Sequence, residues 1–217
     1  MRYMIVLFVL VISIVHATSI KDFIDLKNCD QIVDKQVYNI CYIYKYKGAL
    51  AVWYDLDGQL VNKNNIKERP KFYSEKNIPI QYRAKSQDYS HSGFDRGHLA
   101  NDASFNWSKK SQAKTYSMAN ISPQYPQLNR KAWIAAEKLE RKVAYDLGSA
   151  SVINLVDFRG STQTIGKNRV AVPTGFYKII YNDAKGYKKC FYYKNEPDPV
   201  LSLKAHQIPC SLVTTRI

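Results

Sequence analysis

Segments rich in β-branched and aromatic residues recur along the chain, separated by polar stretches. This pattern predicts strands at residues 37–44, 49–56, 151–158 and 170–181. The second of them ends at Asp57-Gly58, a dipeptide that favours a tight turn. Strands of this length and number indicate a central sheet.

Two segments have the composition of helices. Residues 126–147 contain long helix-forming side chains and no glycine or proline after Pro126, and Gly148 follows as a C-cap. Residues 107–114 are predicted to form a second helix with Ser108 as its N-cap. A further strand is predicted at residues 115–121.

The remaining segments are mainly polar. Residues 18–35 are interpreted as an N-terminal extension that is helical at most, and residues 60–85 as a long surface segment of the kind that often carries function. The chain shows no internal repeat, low-complexity segment or linker, and its 217 residues suit one domain with a buried core. We therefore predict a single α+β domain over residues 18–217, with a central, largely antiparallel sheet flanked by helices.

The charge of the chain indicates which classes of binding partner it favours. The formal net charge is +14 at pH 7, and an apolar content of 46% argues against disorder. Such a field favours nucleic acid, an anionic membrane surface or an acidic polysaccharide. Solubility alone is the simpler explanation, but a surplus this large in a small chain favours a polyanionic partner.

The first 17 residues resemble a secretory signal peptide. Arg2 precedes an apolar run at residues 4–15, and Ala17 is a small residue at the exit of that run. The run is shorter than the roughly 20 residues of a membrane span. We predict cleavage after Ala17, a secreted or periplasmic protein, and no membrane association of the mature chain. An uncleaved N-terminal anchor is the alternative.

Export changes the interpretation of the four cysteines. In an oxidising compartment an even number indicates disulfides, and four cysteines allow three pairings. We favour Cys29–Cys41 and Cys190–Cys210, because each pair closes a short loop and holds a terminal region. A zinc site is the weaker alternative, since there is no CxxC pair and only His206 lies near Cys210.

Asp95, Arg96 and His98 form the densest group of reactive side chains in the sequence. Histidine titrates near neutral pH, and a lone histidine is more often structural or exposed than catalytic. His98 differs from His91 and His206 because charged neighbours precede it and a predicted strand and helix follow it. That order can build a compact pocket from one short piece of chain.

The same stretch resembles the DNA/RNA non-specific endonucleases, a family with the ββα-metal (His-Me finger) fold. The resemblance covers about residues 38–181, which would be the core of the nuclease domain, and is densest between residues 94 and 141. The matching blocks are Phe94-Asp95-Arg96-Gly97-His98-Leu99, Asn-Trp-Ser at 106–108, Met-Ala-Asn-Ile-Ser-Pro-Gln at 118–124, Leu-Asn-Arg-Lys-Ala-Trp at 128–133, Glu137 and the strand at 170–178.

The resemblance implies a role for each matching side chain. His98 would be the general base, and Asn129 the single direct protein ligand of a divalent metal, Mg²⁺ or Mn²⁺. Glu137 would hold water bound to that metal. The supporting roles would belong to Arg69 and Arg96, which stabilise charge on the phosphate, and to Asn120, which positions His98 or the substrate.

Simpler explanations exist for several of these residues. Asn129 could cap the start of its helix, a role that asparagine favours. Glu137 could be an exposed helix charge paired with Arg141 four residues later. Arg69 lies in a basic segment and could be only a solvated phosphate contact. Asp95 is expected to be a hydrogen-bond acceptor that supports the architecture.

The sequence departs from the family at two places near this region. Many members continue after the histidine with Leu-Ala-Pro or Leu-Ala-Ala, where this chain has Leu99-Ala100-Asn101-Asp102. Many also carry Thr-Gly-Pro after the strand at 152–157, where this chain has Asp157-Phe158-Arg159-Gly160. We expect these differences to affect the pocket rim and substrate preference.

The functional hypothesis is an exported, metal-dependent endonuclease that hydrolyses DNA, with RNA as a second candidate substrate, and has little sequence specificity. Lysines at 109, 110, 114, 131, 138 and 142 would contact phosphates, and some of the 17 tyrosines would stack on bases. The rivals are a non-catalytic surface protein that binds nucleic acid and a phosphodiesterase for small nucleotides. The resemblance also raises the hypothesis of a homodimer.

Overall fold

Seven strands pair side by side into one sheet in the structure, a computed structural model that describes residues 17–213. The eleven strands are β1 (Gln31–Asp34), β2 (Asn39–Ile43), β3 (Gly48–Asp57), β4 (Asp95–His98), β5 (Ile121–Gln124), β6 (Ser149–Asp157), β7 (Thr164–Ile165), β8 (Val170–Ala171), β9 (Gly175–Asn182), β10 (Tyr187–Lys194) and β11 (Gln207–Ile208). The large sheet has the order β1-β2-β3-β6-β9-β10-β11, and every neighbouring pair in it is antiparallel.

Three α-helices accompany the strands: α1 (Asp102–Phe105), α2 (Lys109–Thr115) and α3 (Trp133–Leu147). A π-helical turn, Leu128–Ala132, leads directly into α3. The helix predicted at 126–147 is therefore present, and it ends at Gly148, whose left-handed backbone forms the expected C-cap. Ser108 caps α2 as predicted, since its hydroxyl accepts a hydrogen bond from the Ser111 backbone N–H.

Three predictions about local structure were wrong. Residues 115–121 are not a strand, because α2 continues to Thr115 and a 3₁₀ turn covers Met118–Asn120. The strand predicted at 170–181 is split into β8 and β9, with Pro173 between them, where proline cannot donate a ladder hydrogen bond. The N-terminal extension contains β1, which pairs with β2 at the sheet edge, so tertiary pairing overrides its polar composition.

The two faces of the large sheet are covered by different parts of the chain. Strand residues alternate between the faces: on β9, Phe176 and Ile180 point toward the cluster that contains Trp133 of α3, whereas Tyr177 and Ile179 point away from it. The terminal segments cover the second face. Disulfides Cys29–Cys41 and Cys190–Cys210 pin these segments there, which confirms the predicted pairing.

The predicted signal peptide falls on residues 1–16 and Ala17, and residues 1–16 lie outside the part of the chain that the structure describes. Within residues 17–213, no helix is both long enough and apolar enough to cross a membrane.

Candidate active site

An open cleft of about 590 Å³ lies between the β4–β5 hairpin and the start of α3. Five of the six site residues predicted from the sequence line it: Arg69, Arg96, His98, Asn129 and Glu137. These residues are spread over 69 positions of sequence, so their convergence depends on the fold. The sixth, Asn120, lies outside the cleft.

The β4–β5 hairpin presents His98. The two strands are antiparallel, with Gly97 opposite Ser122 and His98 opposite Ile121. A side chain at position 97 would overlap the side chain of Gln124, which is fully buried against the glycine. Glycine is therefore required between Arg96 and His98, because it lets the two strands pack closely.

His98 is held between aromatic rings. Its imidazole makes an edge-to-face contact with Tyr116, at 5.0 Å between ring centres, and lies 5.5 Å from the Phe72 ring. Burial lowers the pKa of His98 to about 4, and the positive charge of Arg69 acts in the same direction, although Asp102 opposes it. The imidazole is therefore neutral near pH 7, which is the state that can accept a proton.

Arg96 is fixed at one end of its guanidinium group. Its Nη2 donates to the backbone oxygen of Ser86 at 2.7 Å. The guanidinium carbon lies 5.7 Å from the Phe72 ring centre and 5.8 Å from the Tyr89 ring centre. Its buried Nε has no hydrogen-bond partner within residues 17–213, so this donor is left for a ligand of the cleft.

Asn129 lies in the π-helical turn, and its amide group is oriented by Asp95. The Asn129 Nδ2 donates to Asp95 Oδ2 at 2.9 Å, and Arg130 donates to both Asp95 oxygens at 2.8 and 2.7 Å. A carboxylate only accepts, so the amide nitrogen must face Asp95 and the carbonyl oxygen is left for another partner. The side chain therefore does not cap the helix, and Asp95 is the supporting acceptor that the sequence predicted.

The protonation of Asp95 fits this arrangement. Burial by itself raises the pKa of its carboxyl group, but the hydrogen bonds from Arg130 and Asn129 outweigh burial and hold the pKa below its usual range. The group is therefore an anion near pH 7 and a full acceptor for the amide of Asn129.

Glu137 lies two turns along the helix from Asn129 and is partly buried. Burial raises its pKa to about 8; Glu140 and Asp102 act in the same direction, and Lys178 and Arg141 oppose them. A divalent cation near the carboxylate would favour its ionised form and reverse this shift. The alternative of an exposed Glu137 paired with Arg141 does not describe the structure, since Glu137 is partly buried and Arg141 Nη1 donates to Asn101 Oδ1 at 3.0 Å.

Asn120 supports the chain behind His98. It is fully buried; its Oδ1 accepts from the Ala100 N–H, and its Nδ2 donates to the backbone oxygens of Ala100 and Thr115, each at 2.8 Å. Its backbone oxygen also accepts from the Leu99 N–H at 3.0 Å. In this structure Asn120 can position the segment after His98, but it does not reach a substrate in the cleft.

The cleft also contains residues that the sequence analysis did not identify as functional. Asp102 accepts a hydrogen bond from the Tyr116 hydroxyl at 2.6 Å, and both line the cleft with Phe72 and Arg141. Two signals were available in the sequence. Asn101-Asp102 is where the chain departs from the family pattern, and Arg141 follows Glu137 by four residues on the same helix face.

Comparison with known proteins agrees with the geometry. The profile of the family described as DNA/RNA non-specific endonuclease matches residues 16–211. The chain belongs to this family. Its β4–β5 hairpin and α3 are the two strands and the helix of the ββα-metal fold, which confirms the predicted fold class.

Relatives in the family are themselves nucleases. Mitochondrial endonuclease G from Homo sapiens is 32% identical over 193 residues, which cover 82% of this chain and 65% of that protein, and the Bos taurus protein is equally similar. Nuclease C1 from Cunninghamella echinulata var. echinulata is 27% identical over 76% of this chain and 70% of its own. The chain thus spans about 65% of the length of the endonuclease G relatives.

A solved structure shares the fold. The crystal structure of the EndoG/EndoGI complex contains a chain that superposes with a TM-score of 0.74 at 24% identity, covering 84% of this chain and 81% of that chain. Residues 17–213 contain no group of three or more His, Cys, Asp or Glu residues that could hold a metal. A metal in the cleft would therefore not be enclosed by three or more such side chains, and Asn129 is its candidate protein ligand.

Proposed function

We propose that this chain is an exported, divalent-metal-dependent endonuclease that hydrolyses phosphodiester bonds in DNA, and also in RNA, with little sequence specificity. One observation supports the chemistry above all others. A neutral histidine, His98, lies in the same cleft as an asparagine whose carbonyl oxygen is freed by the bond between its amide nitrogen and Asp95.

The residues of the cleft fit a hard divalent cation. Asn129 would supply one carbonyl oxygen and Glu137 a neighbouring carboxylate, and Mg²⁺ or Mn²⁺ takes oxygen ligands, with Mg²⁺ commonly keeping several waters. When bound, such an ion polarises a phosphate and stabilises the leaving oxygen. The ion need not be enclosed by protein, since phosphate oxygens and water can complete its coordination.

Protein side chains would supply proton transfer, charge stabilisation and positioning. His98 would accept the proton of the attacking water, because its imidazole is neutral and its buried Nε2 has no partner within residues 17–213. Arg96 and Arg69 would stabilise negative charge that develops on the phosphoryl oxygens. Asn120 would hold the backbone that follows His98.

Exposed basic residues support a polymeric substrate. Lys109 and Lys110 at the start of α2 are exposed, as are Lys131, Lys138 and Lys142 on and beside α3. Contacts between lysines and phosphates give affinity that is independent of sequence and weakens with salt. We expect tighter binding to long DNA than to a dinucleotide, and cleavage that slows as the salt concentration rises.

The direct test compares two histidines with the same substitution. Wild-type protein with Mg²⁺ should convert supercoiled plasmid to open and linear forms, and it should degrade RNA. His98→Asn should abolish cleavage, whereas His91→Asn should leave it unchanged, because His91 is exposed, lies outside the cleft, and has a left-handed backbone that asparagine tolerates. Intact plasmid with the wild type, or full activity in His98→Asn, would refute the proposal.

Export is the second part of the proposal. Its support is the pair of disulfides, which persist in oxidising compartments and are rare in reducing ones. The relatives named mitochondrial nucleases give the competing location. Cell fractionation with N-terminal sequencing distinguishes the two: a mature chain that starts at Thr18 and is recovered in the periplasm or outside the cell supports export, and a chain recovered in mitochondria or in the cytosol contradicts it.

A further inference from the structure

A fully buried ion pair lies behind the cleft. Lys178 of β9 has its Nζ 2.5 Å from Glu140 Oε2 of α3, and both side chains have 0% of their surface exposed. The same Nζ lies 4.7 Å from the centre of the Trp133 ring. Desolvation makes such a pair a poor source of stability compared with apolar residues of similar volume. Its position beside the cleft suggests a role in function instead.

The second carboxylate oxygen of Glu140 accepts three further hydrogen bonds. Its Oε1 accepts from the Tyr54 hydroxyl at 2.9 Å, from Ser104 Oγ at 2.8 Å and from Asn101 Nδ2 at 2.5 Å. These donors come from β3 and from the chain that begins α1. One carboxylate therefore joins β3, α1 and, through Lys178, β9 to the helix that carries Glu137.

Asn101 connects this network to the cleft. Its Oδ1 accepts from the Ser104 N–H at 3.0 Å, which caps α1, and from Arg141 Nη1 at 3.0 Å. The next residue, Asp102, lines the cleft and bonds Tyr116, whose ring contacts His98. The chain between His98 and α1 is thus tied to α3 at Glu140 and Arg141.

We propose that Glu140, with Lys178 balancing its charge, is a positioning residue that fixes the Asn101–Asp102 segment against α3. This contact sets the spacing between His98 on the hairpin and the Asn129–Glu137 side of the helix. The inference rests on the proposed function, in which these side chains act on one phosphate. Since a misplacement of about 1 Å can cost roughly 100-fold in rate, a contact that touches no substrate can control turnover.

Two double variants separate positioning from stability. Lys178→Met/Glu140→Gln removes both charges but keeps an acceptor oxygen for Asn101, whereas Lys178→Met/Glu140→Leu removes the acceptor as well. Neither variant leaves one charge buried alone, which is the change expected to unfold the protein. The matched control is Lys35→Met/Glu75→Gln at a second buried ion pair, 2.6 Å apart, whose members do not line the cleft.

We expect the Gln variant to keep kcat within about threefold of the wild type and the Leu variant to lose about tenfold or more, with KM for plasmid little changed, since only orientation is affected. Binding of Mn²⁺, followed by electron paramagnetic resonance, should weaken in the Leu variant alone. The melting temperature of the Leu variant should lie below that of the Gln variant, because Tyr54, Ser104 and Asn101 lose a buried acceptor, so kcat is measured well below both melting temperatures. The Lys35/Glu75 control should keep wild-type kcat.

Two results would overturn the inference: wild-type kcat in the Leu variant, or equal losses of kcat in both double variants that follow their melting temperatures. If the wild type cuts no nucleic acid, the proposed function fails, and the Mn²⁺ titration decides the inference separately. Equal Mn²⁺ affinity in the Gln and Leu variants would then refute it.

Discussion

Asp95 offers the sharpest test of how the cleft is organised. Its carboxylate accepts one hydrogen bond from Asn129 and two from Arg130, so a single substitution releases the proposed metal ligand. Asp95→Ala should allow the Asn129 amide to rotate, because nothing then distinguishes its nitrogen end from its oxygen end. Asp95→Asn keeps an acceptor oxygen for Asn129 but loses the charge that binds Arg130.

The structure indicates how large each effect should be. The Arg130 side chain is 68% exposed and that of Asp95 is 17% exposed, so solvent screens the ion pair and it contributes little to stability. Loss of a residue that orients a metal ligand typically weakens metal binding about 10- to 100-fold, or roughly 1.4 to 3 kcal/mol. We therefore expect metal dependence to change more than stability.

The assay is plasmid cleavage as a function of Mg²⁺ concentration. In Asp95→Ala the half-saturating Mg²⁺ concentration should rise about 10- to 100-fold, while Arg130→Ala, which keeps the bond to Asn129, should stay near the wild type. Asp95→Asn should fall between them. If Asp95→Ala and Arg130→Ala show the same Mg²⁺ dependence, the orientation of Asn129 by Asp95 has no functional role and the reasoning is wrong.

Two further predictions concern pH and the disulfides. The pKa of His98 is about 4 in the folded protein and about 6.5 in the unfolded chain, so the free energy of unfolding should fall as the pH drops from 6.5 to 4. Measured by urea denaturation, this fall should be about 2 kcal/mol smaller in His98→Gln, which has no imidazole to titrate. Cleavage should persist below pH 6, and an activity midpoint near 6.5 would contradict the low pKa. Removal of the Cys190–Cys210 disulfide, which closes a 20-residue separation, should lower stability by about 3 kcal/mol, measured by urea denaturation of the wild type and of Cys190→Ala/Cys210→Ala. Because the disulfides lie on the sheet face opposite α3, activity at low temperature should survive reduction, and immediate inactivation would show that the two faces are coupled.

Local sequence patterns predicted the strands and helix ends that depend mainly on neighbouring residues. Runs rich in β-branched and aromatic residues predicted β2, β3 and β6, and Ser108 and Gly148 predicted one end of α2 and one end of α3. The motif around His98 indicated a second strand and a helix after the histidine, but the second strand is β5 and does not cover residues 115–121 as predicted. Strands β4 and β5 are separated by α1 and α2, so no short turn determines their pairing.

Long-range pairing determined what the sequence did not reveal. Strand β1 is only four residues long, lies in a mainly polar extension, and pairs with β2 at the sheet edge. Strand β10, although rich in tyrosine, carries three lysines and packs between β9 and β11, and the pattern analysis did not identify it. The π-helical turn at Leu128–Ala132 likewise has no signature in the sequence, yet it carries Asn129. Such turns are frequent at functional sites.

The sequence allowed candidate residues of the site to be named, but it did not reveal how they are placed relative to one another. The resemblance to the endonuclease family supplied His98, Asn129 and Glu137 as candidates, and the fold brings their side chains into one cleft. Their relative placement depends on Glu140 and Lys178, 38 positions apart, whose pairing no local pattern reveals. In the sequence each looks like an ordinary surface charge, and a helix glutamate and a strand lysine are usually exposed.

Asn101-Asp102, where the sequence departs from the family pattern, links the residues of the site to their relative placement. At the sequence level it looked like a change at the rim of the pocket, because alanine or proline often follows at this point in the family. In the structure, Asn101 is the residue that joins buried Glu140 to Arg141 beside the cleft. An alanine or proline there would supply neither the donor nor the acceptor. The contact between α1 and α3 therefore uses a residue at which this chain departs from the pattern of many family members, and it holds the segment after His98 against the helix that carries Glu137.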